Sequence, residues 1–424
     1  MKQWLFIIAL IFIQEKYFAN ITTDTVITQD QDIPNVYLDC FLCDEDFIKT
    51  EITFVNYVRD PNLADVQILV TTVPTSAGGE EYTLTFYGNK RFKNINDTLV
   101  FISKPTDSPD IIREKLAQSM KLGLVKYASK TSVKENLQIH YKSPVEVKPV
   151  VDKWNNWVFS IYANSNFSGE KSYKYYYLMS GFSITRITEE WKIQNSISMS
   201  YNESEYDYDI LKYLNVLRGY EFNSMIVKSL GEKYSGGGFF EVSSSTFEND
   251  RISFSISPAF EYNFFPYKEF TRKQLRLMYK VTYKNIKYRE ETLFDKTAEN
   301  LVRNSVSLTL DIQQPWGSVS TTISGSAYLH DFNKKRITLY SNLNLRIFEG
   351  LSLNLFASYS RINDQLGIPK AGATPEEVLL RRKQLATNYS YNGYVGLSYT
   401  FGSIYQSIVN PRFGSSGGMI YIRY

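Results

Sequence analysis

The sequence predicts a mainly β protein: a transmembrane antiparallel up-and-down β-barrel of about twelve strands preceded by a small α+β domain. Three observations carry that prediction. Every second residue is apolar through most of the chain after Lys153, the joins between these runs differ in length by parity, and aromatics are abundant without long apolar runs.

The first element is an export signal over residues 1–19. Lys2 precedes an apolar run from Trp4 to Ile13, and Phe18-Ala19 offers a cleavage position. The run is too short to span a bilayer as a helix, and no later stretch approaches 18 consecutive apolar residues.

Residues 20–142 mix helical and strand periods and read as an α+β domain on the periplasmic side. Val36 to Leu38 is a short strand candidate, a helix begins after Asp44, and Thr53–Val58, Val66–Thr72 and Tyr82–Tyr87 are β-rich runs. Ser108 caps a longer helix with Pro109 at its first position, and Leu116, Met120, Leu124 and Tyr127 recur at helical spacing. Residues 143–152 form an extended linker, because Pro144 and Pro149 disfavour helix in the residues before them.

From 153 to 402 the period is two. Ile252, Phe254, Ile256, Pro258 and Phe260 alternate with Ser253, Ser255, Ser257 and Ala259, so one face meets apolar surroundings and the other meets water. Strand candidates begin near Trp157, Leu178, Ile193, Phe222, Gly237, Ile252, Leu275, Val306, Val319, Ile337, Leu351 and Tyr391. Joins after even-numbered strands are short, as at Gln314–Gly317 and Phe348–Gly350. Several after odd-numbered strands are long: Glu203–Tyr220, Glu290–Arg303 and Asn363–Asn388. A soluble sandwich also alternates, but tight periplasmic turns opposite long outer loops are the mark of an outer-membrane barrel. The last long loop is expected to carry a helix capped by Thr374, with Pro375 and Glu377 following. Residues 403–424 are a periplasmic tail or a final strand ending on Tyr424.

Several strings resemble an uncharacterised outer-membrane β-barrel protein family of Bacteroidota with an N-terminal periplasmic α+β domain. They are Cys40 to Cys43 followed by Ile52–Asp60, Tyr288–Thr292, Gln314–Gly317, Ala371–Arg382, Tyr399–Gly402 and Val409–Phe413. The resemblance covers most of the mature chain. It implies the location and the architecture, and no catalytic residues.

Composition excludes some functions. A formal net charge of +3 is near balance and export separates the chain from nucleic acid, so no nucleic-acid partner is expected. The 33 Tyr and 27 Phe suit a surface that contacts outer-membrane lipids, and Trp154, Trp157, Tyr267 and Trp316 read as girdle residues.

Cys40 and Cys43 have the separation of a redox pair, but Phe41-Leu42 between them lacks the usual Gly-Pro character. A structural disulfide or two half-buried thiols is the preferred reading. Further zinc ligands are missing, so no metal and no cofactor are expected. His330-Asp331 falls at the outer end of a strand, where some barrel hydrolases keep catalytic groups. With no serine or further carboxylate tied to it, it reads as a turn, as His140 reads as structural, and no enzymatic activity is expected.

The informative positions are basic and are expected to face the lumen: Lys192, Lys228, Arg276, Lys280, Lys284 and Arg346, against few acids such as Glu261 and Asp311. The leading expectation is a non-enzymatic cell outer membrane protein, a narrow channel or transport component for small anionic solutes. Its periplasmic domain would bind another envelope protein. The alternatives are a structural or assembly anchor with a filled barrel and, third, an outer-membrane hydrolase.

Overall fold

The computed structural model describes residues 32–41, 43–75, 79–139, 152–208, 211–372, 383–403, 405 and 407. The expected signal peptide, His140, nearly all of the linker, the helix at Thr374 and the tail from 408 onward lie outside the described residues.

The first sheet runs β1 (Asn35–Asp39), β2 (Asn56–Tyr57), β3 (Val66–Pro74), β4 (Glu80–Gly88) and β5 (Asn96–Ile102), in the spatial order β2-β1-β3-β4-β5. β1 is parallel to β2 and β3, and β3, β4 and β5 form an antiparallel meander. Helix α1 (Glu45–Glu51) starts where the Asp44 carboxylate accepts the Phe47 amide at 3.0 Å, and α2 (Pro109–Ala128) starts where the Ser108 hydroxyl accepts the Ile111 amide. Leu116, Met120, Leu124 and Tyr127 form the buried stripe of α2 and pack with Val36, Ile68, Leu84 and Phe86 in one core. Each such side chain contributes about 1.5–3 kcal/mol by leaving water. Gly123 is required there, because a Cβ would fall 2.1 Å from the Phe86 ring.

Two features of this sheet differ from the expectation. β5 was not expected; Leu99 and Phe101 are partly buried against the core while Val100 and Ile102 are exposed, so apolar residues on both faces hide its period of two. The run Thr53–Val58 yields only the two-residue β2, because Val55 turns into the core instead of extending the ladder.

The second sheet holds twelve strands: β6 (Trp157–Gly169), β7 (Tyr173–Ile187), β8 (Trp191–Tyr208), β9 (Leu211–Ser229), β10 (Tyr234–Ser245), β11 (Asp250–Asn263), β12 (Lys273–Tyr288), β13 (Ala298–Gln314), β14 (Gly317–Tyr328), β15 (Asp331–Phe348), β16 (Leu351–Ile362) and β17 (Tyr389–Tyr399). Each pairs antiparallel with its neighbours in the chain, the up-and-down order expected. Tight turns need residues tolerant of positive φ, and Gly350, at φ 77°, supplies one between β15 and β16.

The stretch Glu203–Tyr220, expected as a long loop, is instead the paired ends of β8 and β9 remote from the first sheet. Glu203 lies opposite Val216 and Tyr208 opposite Leu211. Its acidic residues mimic a loop, but they are cross-strand partners: Asp207 binds Lys212 at 2.8 Å. The expected loop Glu290–Arg303 also shortens, since β13 begins at Ala298.

The sheet is curled. From Ile362, the end of β16, to Gly367 the chain reaches at most about 18 Å. Yet the Gly367 carbonyl accepts the Asn249 side-chain amide at 2.9 Å. Asn249 joins β10 to β11, and β11 lies five strand spacings from β16, roughly 24 Å along a flat sheet. A sheet bent round on itself brings the two together without the chain being fully stretched.

Candidate functional site

Burial in the middle of the twelve-stranded sheet is the inverse of a soluble protein's. On β11, Ser253, Ser255 and Ser257 are 2–8 % exposed, while Ile252, Phe254 and Ile256 between them are 36–49 % exposed. The polar residues line the concave face, where they bond one another: Ser257 donates to Thr282 at 2.9 Å, and Ser243 meets Ser253 at 2.8 Å. The apolar face carries chains of rings, including Phe222, Phe240, Phe254 and Tyr283. A buried hydroxyl without a partner costs roughly 1–3 kcal/mol, so these cross-strand bonds are what allows a polar interior.

The concave face encloses two cavities. One of about 590 Å³ is lined from Thr185 on β7 round to Arg303 on β13, and includes Glu241, Lys280, Thr282 and Lys284. The other, of about 780 Å³ and nearer the first sheet's end, is lined by Lys192, Glu261, Tyr267 and Arg276. The register explains the grouping: Arg276, Lys280 and Lys284 share the face of Thr282 on β12, and Lys192 opposes Val227 on the inner face of β9. Arg276 is 3.6 Å from Glu261 and Lys284 is 3.5 Å from Asp250. The Lys280 ammonium lies 5.2 Å from the centre of the Phe239 ring.

Two sequence expectations need correction. Lys228 does not face inward. It shares the outer face of Ile226 and stacks over Trp191 at 5.2 Å, because it lies one residue, and hence one face, away from Val227. Tyr267 is not a girdle residue, since its hydroxyl donates to Glu261 at 3.0 Å and meets Ser235 on the inner side. Trp154 and Trp316 are exposed, and Trp157 sits beneath Arg186.

The first sheet lies across the ends of β12 to β17. Arg346, at the end of β15, donates to Asp39 at 2.8 Å and to the Pro315 carbonyl at 3.0 Å, with the Tyr37 ring 5.2 Å away. Burial in this contact raises the Tyr37 hydroxyl's pKa. Arg272 bonds Tyr87 and Thr85, the Gly350 amide donates to Asp60 at 2.6 Å, and Arg59 donates to the Thr400 and Gly402 carbonyls. The face of the first sheet that does not carry the helices is therefore seated on the second sheet. A cavity of about 580 Å³ between them is lined by Tyr37, Asp60, Gln67, Trp316 and Arg346.

At the opposite end the segment after β16 folds back over the concave face. Leu366 enters a buried cluster with Ile286, Tyr288, Leu301 and Tyr328. The Leu293 amide donates to Ile368, and Arg336 holds the buried Asp364 at 2.9 Å. Sequence reading placed a long loop here that could fold over the mouth, but did not single out this lid's residues, Asp364 to Ile368, because they carry no period.

Cys40 and Cys43 are joined by a disulfide, leaving Phe41 almost fully exposed. His330 is exposed in a two-residue turn, and the Asp331 carboxylate accepts the Asn333 amide. Among the described residues, no group of three or more His, Cys, Asp or Glu side chains is placed to hold a metal. No helix among them is long and apolar enough to cross a membrane, which says nothing of strands.

No family model and no curated protein matches the chain. Among solved structures, it is similar to the translocator domain of autotransporter NalP from Neisseria meningitidis, with 10% identity, a TM-score of 0.20, and 57% of this chain and 80% of that one covered. It is also similar to CdiB from Acinetobacter baumannii, with 8% identity, a TM-score of 0.26, and 79% of this chain and 60% of that one covered.

Proposed function

We propose that the chain is a non-enzymatic outer-membrane β-barrel of transport type, whose β6 and β17 close the barrel and whose interior is gated at both ends by its own chain. The observation that carries this is the inverted burial of β11, with serines sheltered and isoleucines exposed. Water is the wrong solvent for that surface, and a lipid bilayer is the right one. The polar, cation-lined cavities support a passage for small anionic solutes rather than a packed core. The first sheet then lies on the periplasmic side as a cap, with the exposed Phe41, Val100 and Ile102 available to an envelope protein.

A second reading, a filled anchor, is favoured by the cluster around Leu366, which seals one end of the interior with apolar side chains. Planar-bilayer conductance separates the two. The parent chain is expected to be mostly closed, and Leu366→Asp combined with Arg346→Ala to open frequently. If the double variant refolds and stays silent, the anchor reading replaces the transport one.

A further inference from the structure

We infer that the cavity between β7 and β13 holds a binding site for a small, multiply charged oxyanion, centred on Lys280 and Arg303. The inference rests on the transport reading but names a site that the basic composition of the lumen does not.

The register places the groups. Lys280 is opposite Ser305 and Thr282 is opposite Arg303, so Arg303 is the diagonal neighbour of Lys280 on the concave face, at about 7–8 Å between backbones. Lys284 is opposite Leu301, which makes Arg303 its diagonal neighbour as well. Three cations therefore surround Thr282, and all of them line the same cavity of about 590 Å³.

Their balance is uneven. Lys284 has Asp250 at 3.5 Å, but neither Lys280 nor Arg303 is within 4 Å of a carboxylate among the described residues. Lys280 has an aromatic ring beneath it instead. Glu241 is the one acid lining the cavity among the described residues. Like charges held this close in a recess of reduced dielectric repel one another unless a counter-charge sits between them. A planar guanidinium grips two oxygens of a phosphate or carboxylate while an ammonium supplies a mobile point charge, so the pair suits an oxyanion better than a halide. The hydroxyls of Ser257 and Thr282 border the same space.

The test is isothermal titration of the refolded full chain in detergent with inorganic phosphate, with succinate and with chloride. Saturable binding of phosphate or succinate is expected, which of the two saturates identifying the oxyanion class, while chloride gives none. Lys280→Gln with Arg303→Gln is expected to weaken the binding roughly tenfold or more while leaving the electrophoretic shift of the folded barrel intact. Should the double variant fail to refold, Lys280→Gln alone is expected to weaken it about threefold. Absence of saturation by either oxyanion, or binding unchanged by the substitutions, overturns the site. Binding is read at equilibrium with no membrane present. A chain that binds but never conducts keeps the site and loses the transport reading, and one that conducts but does not bind does the reverse.

Discussion

Asp39 and Arg346 are 307 residues apart in the chain, and their side chains meet at 2.8 Å. Asp39 ends β1 beside the Cys40–Cys43 disulfide, and Arg346 lies near the end of β15, so one ion pair ties the first sheet to the second. Both side chains are about one-fifth exposed, so the pair is less screened than a surface one.

Arg346→Ala should therefore loosen the docking. It removes the bond to Asp39, the bond to the Pro315 carbonyl and the stacking on Tyr37 together, at a cost of roughly 1–3 kcal/mol. Hydrogen exchange at the amides of β1 and of residues 58–60 should quicken, while β8 and β9 stay protected. Unchanged exchange at β1 would mean that the pair does not hold the sheets together.

Leu366→Ala should destabilise the lid without unfolding the barrel. Truncating a buried leucine costs about 2–5 kcal/mol, and here the loss falls on a local segment. Proteolysis between residues 363 and 372 is expected to rise sharply while the strands remain resistant. Equal cleavage of variant and parent would show that the cluster does not fasten the segment.

Substitutions one residue apart on β11 should differ in kind. Ile256→Arg places a charge on the exposed apolar face, at about 2–4 kcal/mol if that face is at mid-bilayer depth, and should cut the refolding yield into lipid vesicles. Ser255→Ala removes only an interior hydroxyl and should refold close to the parent. Equal yields for the two would argue that the apolar face does not meet lipid.

The α+β domain should lose stability in acid. A hydrogen bond from Lys126 lowers the pKa of Asp97, and one from Lys115 does the same for Asp107. A carboxylate whose folded pKa is depressed contributes stability that is full above its unfolded value, near 4, and lost as pH falls through the folded one. The helical circular-dichroism signal of α2 should thus weaken as pH drops below about 4, and Asp107→Asn should flatten that dependence. A flat profile in the parent would remove these pairs from the account.

The strands were legible because the pleat writes itself into the sequence. Ile252 to Phe260 alternate without interruption, Ile337 to Ile347 do so except at Tyr340-Ser341, and both lie within single strands. Where charge overlays the period, as at Glu203, Glu205 and Asp207, the same physics gives the look of a loop. The inward positions of Arg276, Lys280 and Lys284 follow from parity with Leu275 to Val281, and a slip of one residue put Lys228 on the wrong face. What parity does not encode is contact between remote elements. Asp39 with Arg346 depends on how the first sheet docks, and Asn249 with Gly367 on how far the second sheet curls, and neither is a property of any single strand.

The central claim is that the twelve strands form a closed barrel made for lipid, and electrophoresis of the refolded chain with and without boiling tests it most directly. The unboiled protein should migrate faster than the boiled one, as a compact barrel that detergent alone does not unfold. A single mobility under both conditions, from a sample that spectroscopy shows to be folded, would contradict the barrel.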